Sequence, residues 1–163
     1  MIMYYDYLDT VLGKIYLLAD EHGLRQLTVG SGGFCPDSSW DHSPEFMQEY
    51  TTQLQEYLQG QRKTFTLPLA PQGTPFQQQV WQAICNIPYG SGHSYQKIAE
   101  RINQPNAIQA IGMARNVNPI PIIIPCHRVL SDNDQQTQCR YGQDMTNQLL
   151  ALESGKLTLF RTF

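Results

Sequence analysis

The sequence predicts an α+β protein: a small N-terminal domain of strands and one helix, then a mainly helical domain with a helix-turn-helix. Three observations predict it. Residues 3–30 fall into short β-type runs divided by turns. From Pro44 the apolar residues recur at helical spacing. After the Pro- and Gly-punctuated run "TLPLAPQGTP", Thr66 to Pro75, the remaining segments are mostly helical. The domain boundary is placed in that run, giving an N-terminal α/β domain over 1–70 and a second domain over 71–163.

The elements follow in order. "MYYDYLDT" and "GKIYLLAD" read as strands, with Asp9 to Gly13 turning between them. "LRQLTVG" is a third strand, reached through "DEHG". Residues 30–43 are rich in Gly, Ser, Pro and Asp and read as a loop. Phe46, Tyr50, Leu54, Tyr57 and Leu58 share one face of a helix that Gly60 ends. Thr74 is placed as an N-cap with Pro75 at the first helical position. Phe76, Val80, Trp81, Ile84 and Ile87 then face inward. "PYGSGH" breaks that helix. Ser94 caps "YQKIAERI", with Tyr95, Ile98, Ala99 and Ile102 on one side. "NQPN" turns the chain, and Asn106 is placed as the cap of "AIQAIGMARNV". Two short helices across a tight turn make a helix-turn-helix. The second is rich in small residues: Ala107, Ala110, Gly112 and Ala114. They permit close approach, either to another helix or to a nucleic-acid groove. A last helix runs from Asp144 to Glu153 and stops at Gly155.

Bulk composition narrows the function. The chain has 163 residues, 41% of them hydrophobic, enough for a real core. No apolar run approaches a membrane span and no leader-like segment opens the chain, so a cytoplasmic protein with no membrane partner is expected. The net charge of -3 is uneven. Residues 1–71 hold four Lys/Arg against nine Asp/Glu; residues 72–163 hold seven against five. The mildly basic second half permits nucleic-acid binding without demanding it. Cys35, Cys85, Cys126 and Cys139 are irregularly spaced and form no CxxC or His-x-His pattern. Neither a metal site nor a disulfide framework is expected.

The stretch that carries chemistry is "NPIPIIIPCHRVL", Asn118 to Leu130. Read as an apolar strand, it delivers Cys126 to a sheltered position with His127 and Arg128 behind it. A thiolate is the nucleophile, and cations or a polarised histidine favour it. A papain-like pairing of Cys126 with His127 is disfavoured, because adjacent side chains point apart on a strand and do not face each other on a helix. A sharp turn or a bridging water is needed, and an orienting carboxylate: Asp132, Asp134, Asp144 or Glu153. The plain alternative is a buried cysteine followed by an exposed His-Arg pair.

"PCHRV" preceded by "NPIPIII" resembles the active-site signature of the O6-alkylguanine-DNA alkyltransferases. "GTPFQQQVWQAICNIPYGSGHSYQKIA" resembles the start of that family's DNA-binding domain. "AIGMARNVNP" resembles its recognition helix and Asn hinge. Together these cover about residues 73–130; the first 70 are similar in layout only. The resemblance implies a winged form of the helix-turn-helix. It also implies DNA repair by irreversible, single-turnover transfer of an alkyl group from O6 of guanine in DNA to Cys126, by a monomer without cofactor or metal. Its partner would be double- or single-stranded DNA carrying the lesion.

By position, Cys126 would accept the alkyl group, His127 would act on it through a water, and Glu153 would orient and polarise His127. Asn118 would brace the turn before the active-site loop. Tyr95 would crowd the target phosphate and donate to the leaving base. Gln109, Arg115, Ala107 and Gly112 would face DNA, and main chain near Val129 and Arg140 would line the guanine pocket. Arg128 would be structural.

The chain departs from the family's pattern in places. Gln109 stands where an arginine usually fills the gap left by a flipped base, and Gln78 replaces another arginine. "QCRYG" replaces a Gly-Tyr-x-Gly-Gly stretch, so that Cys139 sits where an aromatic covers the guanine and Tyr141 is displaced by two positions. Gln148, Leu149 and Leu150 replace Trp-Leu-Leu. These changes bear on base flipping, pocket closure and affinity. Two other classes remain beside the transferase: a non-catalytic lesion-binding protein of the alkyltransferase-like kind, and an unrelated winged-helix regulator or cysteine hydrolase. Cys126, His127 and Glu153 together speak against the former. A recognition helix whose only cation is Arg115 speaks against a regulator.

Overall fold

The structure, a computed structural model, describes residues 2–30, 34–130 and 142–155. It is an α+β fold. Strands β1 (Tyr4–Thr10), β2 (Gly13–Asp20) and β3 (Gly23–Val29) form an antiparallel meander at the expected places. Ile15, Leu17 and Ala19 alternate onto the buried face. A short fourth strand, β4 (Asp41–His42), pairs parallel to β1 and gives the order β3-β2-β1-β4. It falls in the stretch read as loop. Two paired residues are too few to leave an alternating pattern.

Helix α1 (Gln48–Leu58) packs under the sheet. Tyr50, Leu54, Tyr57 and Leu58 are buried as expected, but Phe46 is not: it is 39% exposed and stacks on Tyr4. The helix starts at Gln48, so Phe46 lies in the preceding turn and Met47 takes the buried position.

The connecting run is held along the edge of the sheet. Leu24 donates to the Pro68 carbonyl and Ala70 donates to Leu24. Gly23 makes this approach feasible, since its φ is 145° and a Cβ there would lie 2.6 Å from the Pro68 oxygen. Gln53 clamps Thr66 from α1 by two hydrogen bonds.

The second half packs helices α2 (Pro75–Cys85), α3 (Tyr95–Arg101) and α4 (Ile108–Asn116) against one another. Thr74 and Gln77 close a reciprocal capping box at α2, with Pro75 in the first turn. Ser94 caps α3. Asn103, at φ 57°, turns the chain between α3 and α4. Asn106 does not cap α4. Its ladder begins one residue later, with Ile111 donating to the Ala107 carbonyl, and no side chain caps it. Two-residue strands β5 (His93–Ser94) and β6 (Val129–Leu130) pair in parallel beside the helix-turn-helix. Helix α5 (Gln143–Glu153) closes the described chain. No described helix is long and apolar enough to cross a membrane.

The apolar run before Cys126 is not a strand. Pro119 and Pro121 carry no N–H and cannot sustain a ladder. The run folds into a tight turn, with Ile124 donating to Ile120 and Ile122 at φ 75°. Burial explains the three isoleucines: Ile122, Ile123 and Ile124 all sit in a core shared by both halves.

Candidate active site

The site begins with that turn. Asn118 Nδ2 donates to the Ile124 carbonyl and its Oδ1 accepts from Ile120 N–H, both at 2.9 Å. These two bonds bracket Ile122, a β-branched residue in a costly left-handed conformation. From the other side, Leu27 of β3 donates to the Pro119 carbonyl. The chain then enters a single 3₁₀ turn, Cys126–Arg128, which fans successive side chains about 120° apart where a strand would throw them to opposite faces. All three are buried.

Glu153, at the end of α5, gathers the site. His127 Nε2 lies 2.7 Å from its Oε2. Arg128 reaches it by Nη2 at 2.8 Å and by Nε at 2.9 Å, and ties its own Nη1 to the Ile87 carbonyl. Tyr57 Oη donates to the same Oε2 at 2.5 Å, and Gly90 N–H donates to Oε1. Burial opposes a charge on Glu153, but hydrogen bonds from His127, Arg128 and Tyr57 outweigh it and hold the carboxyl far below the usual range. Burial is also the largest influence on His127 and lowers its pKa. Arg128 and Arg115 push the same way, and Glu153 offsets them only in part. At neutral pH the pair is therefore a carboxylate and a neutral imidazole. Since a carboxylate only accepts, Nε2 is assigned the proton. The other nitrogen, Nδ1, is buried without a hydrogen-bond partner among the described residues, which leaves its lone pair as a proton acceptor.

Arg115 is a correction to the sequence reading. Expected to face DNA, it is 2% exposed and points inward, its Nε donating to the Cys126 carbonyl at 3.0 Å. As the last-turn residue of α4 it faces the active loop, and the packing of α4 on α2 covers it. Trp81 Nε1 fixes that contact by donating to the Ala114 carbonyl. A fixed cation on the Cys126 main chain favours the thiolate.

The other expected residues sit on the helix-turn-helix. Tyr95 opens α3, half-buried beside α4, where a Cβ on Gly112 would just touch its ring at 4.0 Å. The β5–β6 pairing joins the residues just before Tyr95 to those just after Arg128, which fixes α3 against the active loop. Gln109 is exposed on α4, and Ala107 is half-buried at its start. Val129 is buried at the head of β6. Arg140, Cys139, Tyr141, Asp132 and Asp134 lie outside the described residues. Asp144 is exposed. Among the described residues no cluster of three or more His, Cys, Asp or Glu could hold a metal.

Tyr57 was missed as a site residue. Helical periodicity marks it as buried, but nothing local marks its partner.

Residues 3–71 match a family model described as the ribonuclease-like domain of 6-O-methylguanine DNA methyltransferase, and residues 75–155 match the DNA-binding domain of the same. A methylated-DNA--protein-cysteine methyltransferase of Methanosarcina barkeri is 41% identical, covering 95% of this chain and 99% of that one. The constitutive one of Bacillus subtilis is 40% identical over 82% of this chain and 84% of its own. Among solved structures, Mycobacterium tuberculosis OGT in complex with DNA superposes with a TM-score of 0.83 at 34% identity, covering 94% of each chain.

Proposed function

Because the chain belongs to the 6-O-methylguanine DNA methyltransferase family, we propose that it repairs DNA by moving an alkyl group from guanine O6 to Cys126. The observation that carries this reading is the buried chain of contacts from Glu153 to His127 in the turn that holds Cys126. His127 Nδ1 takes the thiol proton, through a water, and Glu153 stabilises the imidazolium that forms. The sulfur attacks the methyl carbon in line. The S–C bond forms, the C–O bond breaks, and the guanine leaves as an anion that takes a proton from the Tyr95 hydroxyl or solvent.

The target atom is inside a duplex, so the nucleotide is flipped out. Exposed Gln109 on α4 fills the vacated stack, and Ala107 and Gly112 let the helix approach the groove. Asn118 holds the loop, and Val129 main chain lines the base pocket. A thioether is not cleaved by water, so each molecule acts once. The reaction uses no cofactor, and the protein works as a cytoplasmic monomer. Its halves are two domains, 1–70 and 71–163; the two family matches that meet in the connecting run support that division.

Intact-mass spectrometry after incubation with an O6-methylguanine oligonucleotide tests the reading. One added methyl on Cys126, stoichiometric and without turnover, is expected. Binding without a mass change would instead make this a lesion-binding protein.

A further inference from the structure

The proposed relay draws on residues of the second half, yet one of its hydrogen bonds comes from the first. Tyr57 lies on the buried face of α1, and its hydroxyl reaches Glu153 Oε2 at 2.5 Å and stands 3.5 Å from His127 Nε2. The same carboxylate oxygen accepts from His127 and from Arg128. We propose that Tyr57 is a positioning residue of the transfer reaction, setting through Glu153 how strongly His127 holds a proton. The proposal rests on the reading of Cys126 as the alkyl acceptor.

Tyr57, His127 and Arg128 compete for a single oxygen. A carboxylate that already accepts a short hydrogen bond from a phenol has less electron density to offer an imidazolium. The ring cannot evade the contact, since Tyr57 is fully buried and packs against Phe65 and Tyr89. Its hydroxyl remains protonated: burial foremost, then the Glu153 charge, keep its pKa well above the usual phenol value. Among the described residues the other charged or titratable groups around the pair are Arg128 and Cys126 of the 3₁₀ turn, Arg115 of α4, and Tyr89 after α2 with Lys63 over its ring. None of them donates to Oε2 except Arg128, which holds its counter-charge in every protonation state. The N-terminal half thus supplies a donor to the reactive centre as well as a scaffold.

Tyr57→Phe keeps the ring and removes the donor. Glu153 Oε2 then serves His127 and Arg128 alone, and the imidazolium is better stabilised. His127 should become more basic by roughly one pH unit, the size of one hydrogen bond to a charged group. The acid limb of the single-turnover rate of transfer from an O6-methylguanine oligonucleotide should move to higher pH by a similar amount, because the neutral imidazole is the base. DNA affinity should not change. As a second variant that keeps both ring and donor, 3,5-difluorotyrosine at position 57 has a more acidic hydroxyl and should move both quantities the opposite way.

Histidine NMR titrations and rate–pH profiles on the whole protein give the answer. Opposite shifts in the two variants support the proposal. Superimposed profiles, or shifts of the same sign, overturn it and leave Tyr57 a packing residue. A wild type that transfers no methyl at any pH overturns the alkyl-acceptor reading instead, and the NMR titration still reports on Tyr57.

Discussion

Tyr57 and Glu153 are 96 positions apart in the chain and share a 2.5 Å hydrogen bond at the centre of the buried cluster beside Cys126. Glu153 also accepts from His127, from Arg128 and from the Gly90 main chain. A buried carboxylate is tolerated only when its lone pairs are occupied and its charge is matched. Here α1, the turn after α2, the 3₁₀ turn and α5 each contribute to meeting that condition, so the site and the interface between the halves are one structure.

Cys126→Ser is expected to abolish transfer while folding and lesion binding persist. The hydroxyl is close in size to the thiol but far less acidic, and the Arg115 bond to the residue-126 carbonyl is a main-chain contact that the substitution keeps. Peptide mapping of wild-type protein after reaction checks the assignment: a methyl found on Cys85 or Cys35 would defeat it.

Glu153→Gln is expected to slow transfer and to cost about 3–5 kcal/mol of stability, because Arg128 stays buried without its counter-charge. The pH dependence has a definite sign. The Glu153 carboxyl is depressed in the folded protein from an ordinary 4.5, so the unfolded chain takes up the proton first. Its stabilisation is full above that value and fades as pH falls below it. Thermal melts at about pH 7 and about pH 3.5 should therefore show a smaller acid-induced drop in the variant than in wild type. Equal drops would mean that Glu153 is not the group responsible.

Arg115→Ala separates the inward role of this residue from the outward one. A buried guanidinium on the Cys126 carbonyl predicts a loss of stability of about 2–4 kcal/mol and slower alkyl transfer. The salt dependence of DNA binding should keep its slope. A phosphate contact would instead reduce the slope by roughly one unit, and that outcome, read from affinities across a salt series, would restore the residue to the DNA surface.

Asn118→Ala removes both bonds that bracket Ile122. Loss of two buried hydrogen bonds, with the Ile120 N–H left unsatisfied and the Ile124 carbonyl keeping only the Cys126 N–H, should cost about 2–4 kcal/mol. The strained turn should relax, and the transfer rate should fall with it. Hydrogen exchange at Ile120 reads the local effect; unchanged protection there would show that the turn holds without Asn118.

Gln109→Arg tests the exposed wedge of α4. Glutamine is short and neutral, so it fills a vacated stack less well than a guanidinium. Extrusion costs a few kcal/mol, least for mismatched or single-stranded targets. The variant should accelerate repair opposite cytosine more than repair opposite thymine or in a single strand. Equal acceleration in single-turnover assays on the three substrates would assign Gln109 to affinity alone and direct attention to Tyr95.

The sequence by itself determined the strands of the meander, the cap of α2 at Thr74, the cap of α3 at Ser94 and the motif around Cys126. Each of these depends on neighbours within a few residues: alternation, capping hydroxyls, proline positions. It also placed Glu153 at the end of its helix, at the spacing the family resemblance requires. Only the tertiary structure decided what those residues touch. Arg115 reads as a surface cation until α4 packs and turns it onto the Cys126 carbonyl. The apolar run reads as a strand until Pro119 and Pro121 deny it a ladder and Asn118 folds it back. Tyr57 reads as one apolar-face residue among five until α5 brings Glu153 to its hydroxyl. Periodicity records which side of an element is buried; it carries no record of the partner, because contacts between distant segments leave no spacing in the chain.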